Sequence, residues 1–211
     1  MRGVVVVEPY EKLAGGEQLG LQRAYDAVCM DVLTAVDGST LEFTIATPAD
    51  RSGPDPTMLL ERLGATDSSE AHWTYTQDQP LIGQRTQQGH EEQVIILARS
   101  PLLRRTHIDS ALMRLRRHDV VITPASSGEI ILLACGTDVS IPPNLTLEDV
   151  ERAIQMLIDQ RLSIDQLDPL PTIHSKVGWE GIQSIIRGHA ALERPIAPYT
   201  KAALDTVSSD Q

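Results

Sequence analysis

The chemistry-bearing positions of this chain cluster after its apolar runs. Arg99-Ser100 closes the run Val94–Ala98, and the turn Ser126-Ser127-Gly128 comes after Val120–Thr123. A guanidinium offers planar, forked donors that match a phosphate or a carboxylate. Arg99 therefore has two readings: it binds the phosphate of a ligand, or it pairs with a nearby acid of its own chain. The Ser127-Gly128 turn could present backbone N–H groups to an anion, although a small polar turn between two strands needs no ligand. Arg104, Arg105, Arg114, Arg116 and Arg117 form a basic cluster in an otherwise acidic chain. Such a run receives an anionic ligand or acidic partner, or is simply a solvated helix face.

Other chemistries find no support. The six histidines show no helical i, i+4 pairing with another His or a Cys, so no zinc centre is expected. No Gly-x-Ser-x-Gly elbow and no phosphate loop ending in Gly-Lys-Ser/Thr occurs, which removes the usual signatures of covalent hydrolysis and P-loop phosphoryl transfer. Cys29 and Cys135 each sit inside an apolar run and read as reduced core thiols. No cofactor is implied.

The formal net charge of −11 argues against general nucleic-acid binding, because too little positive charge is present to replace counterions on a phosphate backbone. The scarcity of lysine (Lys12, Lys176 and Lys201 only) fits salt adaptation or the codon bias of a GC-rich genome. No stretch approaches the ~20 apolar residues of a membrane span. The opening Met1–Glu8 is too short and too soon acidic for a signal peptide, so a cytoplasmic location is expected.

The elements that must position these residues can be read from the apolar pattern. The chain has 211 residues, a hydrophobic fraction of 41% and aromatics of only 3%, which predicts one domain with an aliphatic core. Strands are predicted over Gly3–Val7, Leu41–Ala46, Val94–Ala98, Val120–Thr123 and Ile130–Cys135. Helices are predicted over Glu17–Val36, over Thr57–Leu63 with Gly64 as stop, from a Thr106 cap, from a Thr146–Asp149 start, and over Trp179–His189. Ser208–Gln211 is expected to be frayed. Apolar strands alternating with helices predict a three-layer α/β fold, a mainly parallel sheet with helices on both faces.

Several segments taken in order resemble a family of small glycosyltransferase-A-type, nucleotide-diphospho-sugar transferase-like proteins related to phospholactate guanylyltransferases. The segments are Val94–Pro101, His118–Gly128, Trp73–Gln77, Pro80–Arg85, Gly178–Ile182 and Ala197–Thr200, and together they span most of the chain. In that family a central strand ends in Thr-Asp-Ser-Pro, where this chain has Ala98-Arg99-Ser100-Pro101. The family's Asp-Gly-Gly turn is replaced by Ser127-Gly128-Glu129, and its Asp-x-Asp by Ser175-Lys176-Val177. The first-strand loop keeps only Glu11-Lys12-Leu13 of a basic motif.

Open α/β sheets place ligands at the carboxyl ends of their strands, so a pocket is expected there, lined by the Glu8–Leu13 loop, Arg99-Ser100 and Ser126–Glu129. Its candidate lining is Glu8, Lys12, Gln77, Arg85, Arg99, Ser100, Ser127 and Gly128, its ligand a nucleotide or sugar nucleotide, with no catalytic residue and no metal. A divalent cation needs hard oxygen ligands, so replacement of the acids implies loss of metal-dependent transfer. Three functions stand as alternatives: a diverged transferase-like protein keeping a nucleotide or anion pocket, a metal-independent transferase using Arg99, or a protein–protein interaction module.

Overall fold

The structure is a computed structural model that describes residues 2–10, 19–50, 52–64, 72–75, 93–136, 138–142, 144–174, 176–194 and 196–209. The strands are β1 (Arg2–Val6), β2 (Glu42–Pro48), β3 (His72–Tyr75), β4 (Gln93–Leu97), β5 (Val120–Pro124), β6 (Ile130–Cys135) and β7 (Ile164–Gln166). The helices are α1 (Leu19–Asp37), α2 (Pro56–Leu63), α3 (Arg105–Arg114), α4 (Val150–Asp159), α5 (Lys176–Ala191) and α6 (Pro198–Ser209).

All seven strands join one sheet in the order β3-β2-β1-β4-β6-β5-β7. Four of the six pairings are parallel, and only β6 runs against its neighbours β4 and β5. The expected mainly parallel sheet is thus present. The central runs Val-Val-Val-Val, Val-Ile-Ile-Leu and Ile-Ile-Leu-Leu are buried on both faces, which is why they lack the alternation of a half-exposed strand.

Successive side chains serve opposite layers. Val5, Val7, Val94 and Ile96 pack with Tyr25, Val28 and Val32 of α1, Ile108 of α3 and Ile182 and Ile186 of α5. Val4, Val6, Ile95 and Leu97 pack with Ala153 and Leu157 of α4 and with Ile141, Leu145 and Leu147. Helices therefore cover both faces, as the sequence pattern requires.

Local signals set most boundaries. Asp55 caps α2 by accepting the Thr57 N–H at 2.9 Å, and Gly64 stops it in the left-handed conformation with φ 64°. Two expected helix starts are displaced. α3 begins at Arg105 rather than after Thr106, because the His107 ring accepts the Arg104 backbone N–H at 3.0 Å and does the work of a cap. α4 is capped by Asp149, which accepts the Arg152 N–H at 3.0 Å, and Thr146 lies outside it. Three elements go beyond the sequence reading: the edge strands β3 and β7, and α6. Ser208 and Ser209, expected to fray, end α6, while Asp210 and Gln211 lie outside the described residues.

α1 and α6 are joined by a buried carboxylate. Asp31, only 5% exposed, accepts the backbone N–H groups of Tyr199 and Thr200 at 3.1 and 2.8 Å, capping the first turn of α6 from another helix. Burial raises its pKa to about 6 against the lowering effect of those hydrogen bonds. No described helix is long and apolar enough to cross a membrane.

Candidate functional site

Arg99 and Glu8 meet because β1 and β4 are adjacent and parallel. Their register pairs Val6 with Leu97, and the Ala98 N–H continues the ladder to the Val6 carbonyl at 2.9 Å. Each residue then stands two places past its strand, at the carboxyl edge of the sheet. The Arg99 side chain is completely buried and Glu8 is 2% exposed.

An isolated buried guanidinium would be prohibitive, and this one is surrounded by acids. Nε donates to Glu8 Oε2 at 2.6 Å and Nη2 to Glu8 Oε1 at 2.5 Å, a forked pair. Nη2 and Nη1 also donate to the two oxygens of Glu148 at 2.7 and 3.1 Å. Nη1 lies 3.4 Å from Glu129 Oε2. The guanidinium thus makes four hydrogen bonds to Glu8 and Glu148, with Glu129 as a further charge contact.

Three further segments complete the surroundings of the pair. Glu129 ends the Ala125–Glu129 turn, closed by the Ala125 N–H to Glu129 carbonyl bond at 2.6 Å, with Gly128 supplying φ 95°. Glu148 immediately precedes the cap of α4, and the Val150 N–H to Gly128 carbonyl bond at 2.8 Å ties that helix start to the turn. His174 precedes α5; its Nε2 lies 3.1 Å from Glu8 Oε2, a contact that carries charge only when the imidazole is protonated. The Ile173 N–H bonds the Arg99 carbonyl at 3.0 Å and fixes this segment to the site.

The electrostatics are set by burial and pairing. Burial would raise the Glu8 carboxyl, but Arg99 and His174 outweigh it and hold the group well below the usual carboxylate range. Burial would lower the Arg99 pKa, and Glu8 and Glu148 reverse that, raising it above its ordinary value. Behind Glu8 the fully buried Tyr25 hydroxyl accepts the Glu8 backbone N–H at 2.8 Å, so the main chain is held as firmly as the side chain. Gly53 presses from the other side: a Cβ there would lie 2.5 Å from the Glu8 carbonyl oxygen.

The remaining candidates fare differently. The Ser127 hydroxyl is 3.0 Å from that of Thr172, and Gly128 serves the turn. Among the described residues, the Ser100 hydroxyl and Glu129 Oε1 are buried without a hydrogen-bond partner. Lys12, Gln77, Arg85 and Ser175 lie outside the described residues. In the basic cluster, Arg105 pairs with Asp109 at 3.2 Å and Arg114 with Asp165 at 3.0 Å, which accounts for two arginines as helix-surface partners. Sequence reasoning missed Glu148 and His174 as site residues, whereas Glu129 closes the Ser126–Glu129 turn expected to line the pocket. No local signal could have found these two, since they lie 49 and 75 positions from Arg99.

A cavity of about 380 Å³ opens beside this cluster at the carboxyl ends of β2 and β3. Thr47, Thr57, Thr74 and Asp55 give it polar walls, with Pro48 and Gly53 completing the side nearest Glu8. It is displaced toward the β3 edge from the lining expected around Arg99 and Ser127. A divalent cation does not fit the Arg99 centre, because the guanidinium repels it and engages the oxygens it would need. Among the described residues no group of three His, Cys, Asp or Glu side chains is spaced to hold a metal ion.

Comparison of the whole structure places the architecture. A proposed nucleotide-diphospho-sugar transferase from Desulfovibrio desulfuricans G20 superposes with a TM-score of 0.67 at 17% identity, covering 99% of this chain and 96% of that one. This chain has a nucleotide-diphospho-sugar transferase-like fold. A cytidylyltransferase from Leptospira borgpetersenii serovar Hardjo-bovis gives a TM-score of 0.58 at 9% identity, over 99% and 94% of the two chains. A CMP:2-keto-3-deoxy-manno-octonic acid synthetase complexed with CTP gives 0.53 at 12% identity, over 90% and 100%. No protein-family model and no curated protein sequence matches the chain. At these identities the shared property is the fold.

Proposed function

We infer that this chain is a diverged relative of the nucleotidyl- and glycosyltransferases whose fold it shares, in which metal-assisted transfer has been exchanged for a structural ion cluster. The observation that carries this reading is the set of Arg99 partners: the buried guanidinium makes four hydrogen bonds to Glu8 and Glu148 and a charge contact to Glu129, so it is engaged by carboxylates of its own chain rather than held out to a phosphate. Three carboxylates around one guanidinium also repel a phosphate, which counts against a transferase that uses Arg99 in place of a metal.

Ligand binding in this reading belongs to the neighbouring 380 Å³ cavity, whose Thr47, Thr57 and Thr74 hydroxyls and Asp55 suit the ribose or sugar hydroxyls of a nucleotide or sugar nucleotide. Its position at the strand ends, where open α/β sheets take ligands, supports the assignment. The protein then binds without turning over, in a single domain formed by the whole chain.

Thermal-shift screening against nucleotides and sugar nucleotides, with and without Mg²⁺ or Mn²⁺, tests this. A ligand at a hundred times its Kd stabilises by about 2.7 kcal/mol, and the expected shift is the same with and without metal. Calorimetric detection of a stoichiometric Mg²⁺ or Mn²⁺ site lost in Glu8→Gln would overturn the reading. No shift with any nucleotide would leave the interaction module as the better account.

A further inference from the structure

Among the described residues, the outer face of α5 carries an apolar stripe with no element packed on it. Val177, Gly181, Ile185, Gly188 and Leu192, the last directly after the helix, recur at spacings of four, four, three and four residues, which places them on one side. The opposite side, with Ile182 and Ile186, is buried in the core. Val177 is 79% and Leu192 69% exposed, the highest values among large apolar side chains on the described surface. Met113, next at 62%, stands alone on α3. Above Gly181 and Gly188 there is open space: a Cβ added at either would meet nothing within 4 Å.

This stripe is complementary to itself in the antiparallel direction. When a second α5 lies against it with the two-fold axis between Ser184 and Ile185, Val177 falls opposite Leu192 of the second copy. Gly181 then falls opposite Gly188 of that copy, where the missing side chains let the helix axes approach. A two-fold axis across antiparallel helices brings like flanks together. Glu180 and Arg187 are both exposed, occupy the same flank, and are seven residues apart. In this register each Glu180 comes within reach of Arg187 of the second copy, and symmetry makes the contact twice. A parallel two-fold pairing would carry the second copy's charges to the opposite flank and leave both contacts unmade.

We propose that α5 is a homodimerisation surface, with a second copy of this chain packing antiparallel along Val177, Gly181, Ile185, Gly188 and Leu192. The charge complementarity between Glu180 and Arg187 selects the copy over an unrelated apolar partner. A single 16-residue helix spans about 24 Å, so the interface falls below the roughly 1,200 Å² of tight assemblies. The dimer is therefore concentration-dependent. It is independent of the Arg99 cluster and of the nucleotide cavity.

Sedimentation velocity on the full chain across the micromolar range tests the proposal. The weight-average sedimentation coefficient rises with concentration for the native chain. It stays at the monomer value for the double variant Gly181→Gln/Gly188→Gln, whose new side chains enter open space and leave the far-ultraviolet dichroism and melting of the monomer intact. Glu180→Arg and Arg187→Glu each weaken association by about tenfold, since each reversal is felt twice, and combining them restores it. A native chain that is monomeric at every concentration overturns the proposal and gives the face to a different protein. A dimer unaffected by either glycine or charge changes overturns it as well, by placing the interface elsewhere.

Discussion

Arg99 and Glu8 are 91 residues apart in sequence and share a forked pair of hydrogen bonds, 2.6 and 2.5 Å long, with no solvent access on the Arg99 side chain. The pair is placed by strand register, since both residues extend the β1–β4 ladder by two positions. The guanidinium, the acids around it and the main chain behind Glu8 can each be perturbed separately.

Removing the guanidinium should be severe. Arg99→Ala leaves the Glu8 carboxylate buried with no compensating charge, and breaking a buried pair from one side costs about 3–5 kcal/mol. Urea denaturation should show the midpoint falling with the m-value unchanged. A variant as stable as the native chain would mean that Arg99 is not structurally engaged. Glu8→Gln should be destabilising too, and the double variant less so than the sum, giving a coupling energy in a thermodynamic cycle.

A cation supplied from outside should rescue part of that loss. In Arg99→Ala the acids Glu8, Glu129 and Glu148 are left around the space the guanidinium filled, so millimolar Ca²⁺ or Mg²⁺ should raise the melting temperature of the variant. The native chain, where that space is occupied, should not respond. Equal responses from both proteins would separate cation binding from this cluster. The stabilisation expected at ten times Kd is about 1.4 kcal/mol.

Two carboxylates should give stability opposite dependences on pH. Glu8 titrates lower in the fold than in the unfolded chain, so its contribution is present above the ordinary carboxylate range and is lost as pH falls through and below it. Asp31 titrates higher, at about 6, so its contribution is greatest when protonated and is lost as pH rises through about 6. Asp31→Asn should flatten the stability profile between about pH 4 and 6, a span worth about 3 kcal/mol at 1.36 kcal/mol per pK unit. An unchanged profile between the two proteins would remove Asp31 as the source.

The loop after β2 should be intolerant of a single methyl group. Gly53→Ala would put its Cβ 2.5 Å from the carbonyl oxygen of Glu8, a residue whose backbone N–H is held by the Tyr25 hydroxyl. Overpacking of this kind costs about 1–3 kcal/mol. Gly181→Ala, in open space on a helix, serves as the control and should be neutral or stabilising when measured at concentrations where the chain is monomeric. Chemical denaturation of both variants separates them.

The sequence was most legible where one run of residues fixed one element. Val4–Val7, Val94–Leu97 and Ile130–Cys135 could only be buried strands, and Gly64 could be read as a helix stop from its position after Leu63. β3 and β7 were not legible, because His-Trp-Thr-Tyr and Ile-Asp-Gln are short edge segments that become strands only beside β2 and β5. α6 was missed because its first turn is capped by Asp31 from α1, 168 residues before Tyr199. At the site, Glu8 and Arg99 could be singled out because each ends an apolar run. Their partnership, and the arrival of Glu148 and His174, depends on the order in which strands cross the sheet, which no local pattern encodes.

The antiparallel course of β6 has a consequence for how the molecule comes together. By reversing between β4 and β5, it brings Glu129 to the carboxyl edge through a short turn, whereas Glu8 and Glu148 reach the same edge only across 91 and 49 residues of chain. A chain growing from its amino end thus has the β1–β4 seam and its guanidinium available well before Glu148 is made. Sealing that seam early would enclose Arg99 with Glu8 and Glu129 but without the outermost acid. The contacts that complete the cluster are long-range and costly in loop closure, the kind that slow the search for the native state. In the folded chain, packing of the segment ahead of α4 against the Gly128 turn sets Glu148 over the guanidinium and closes Arg99 in.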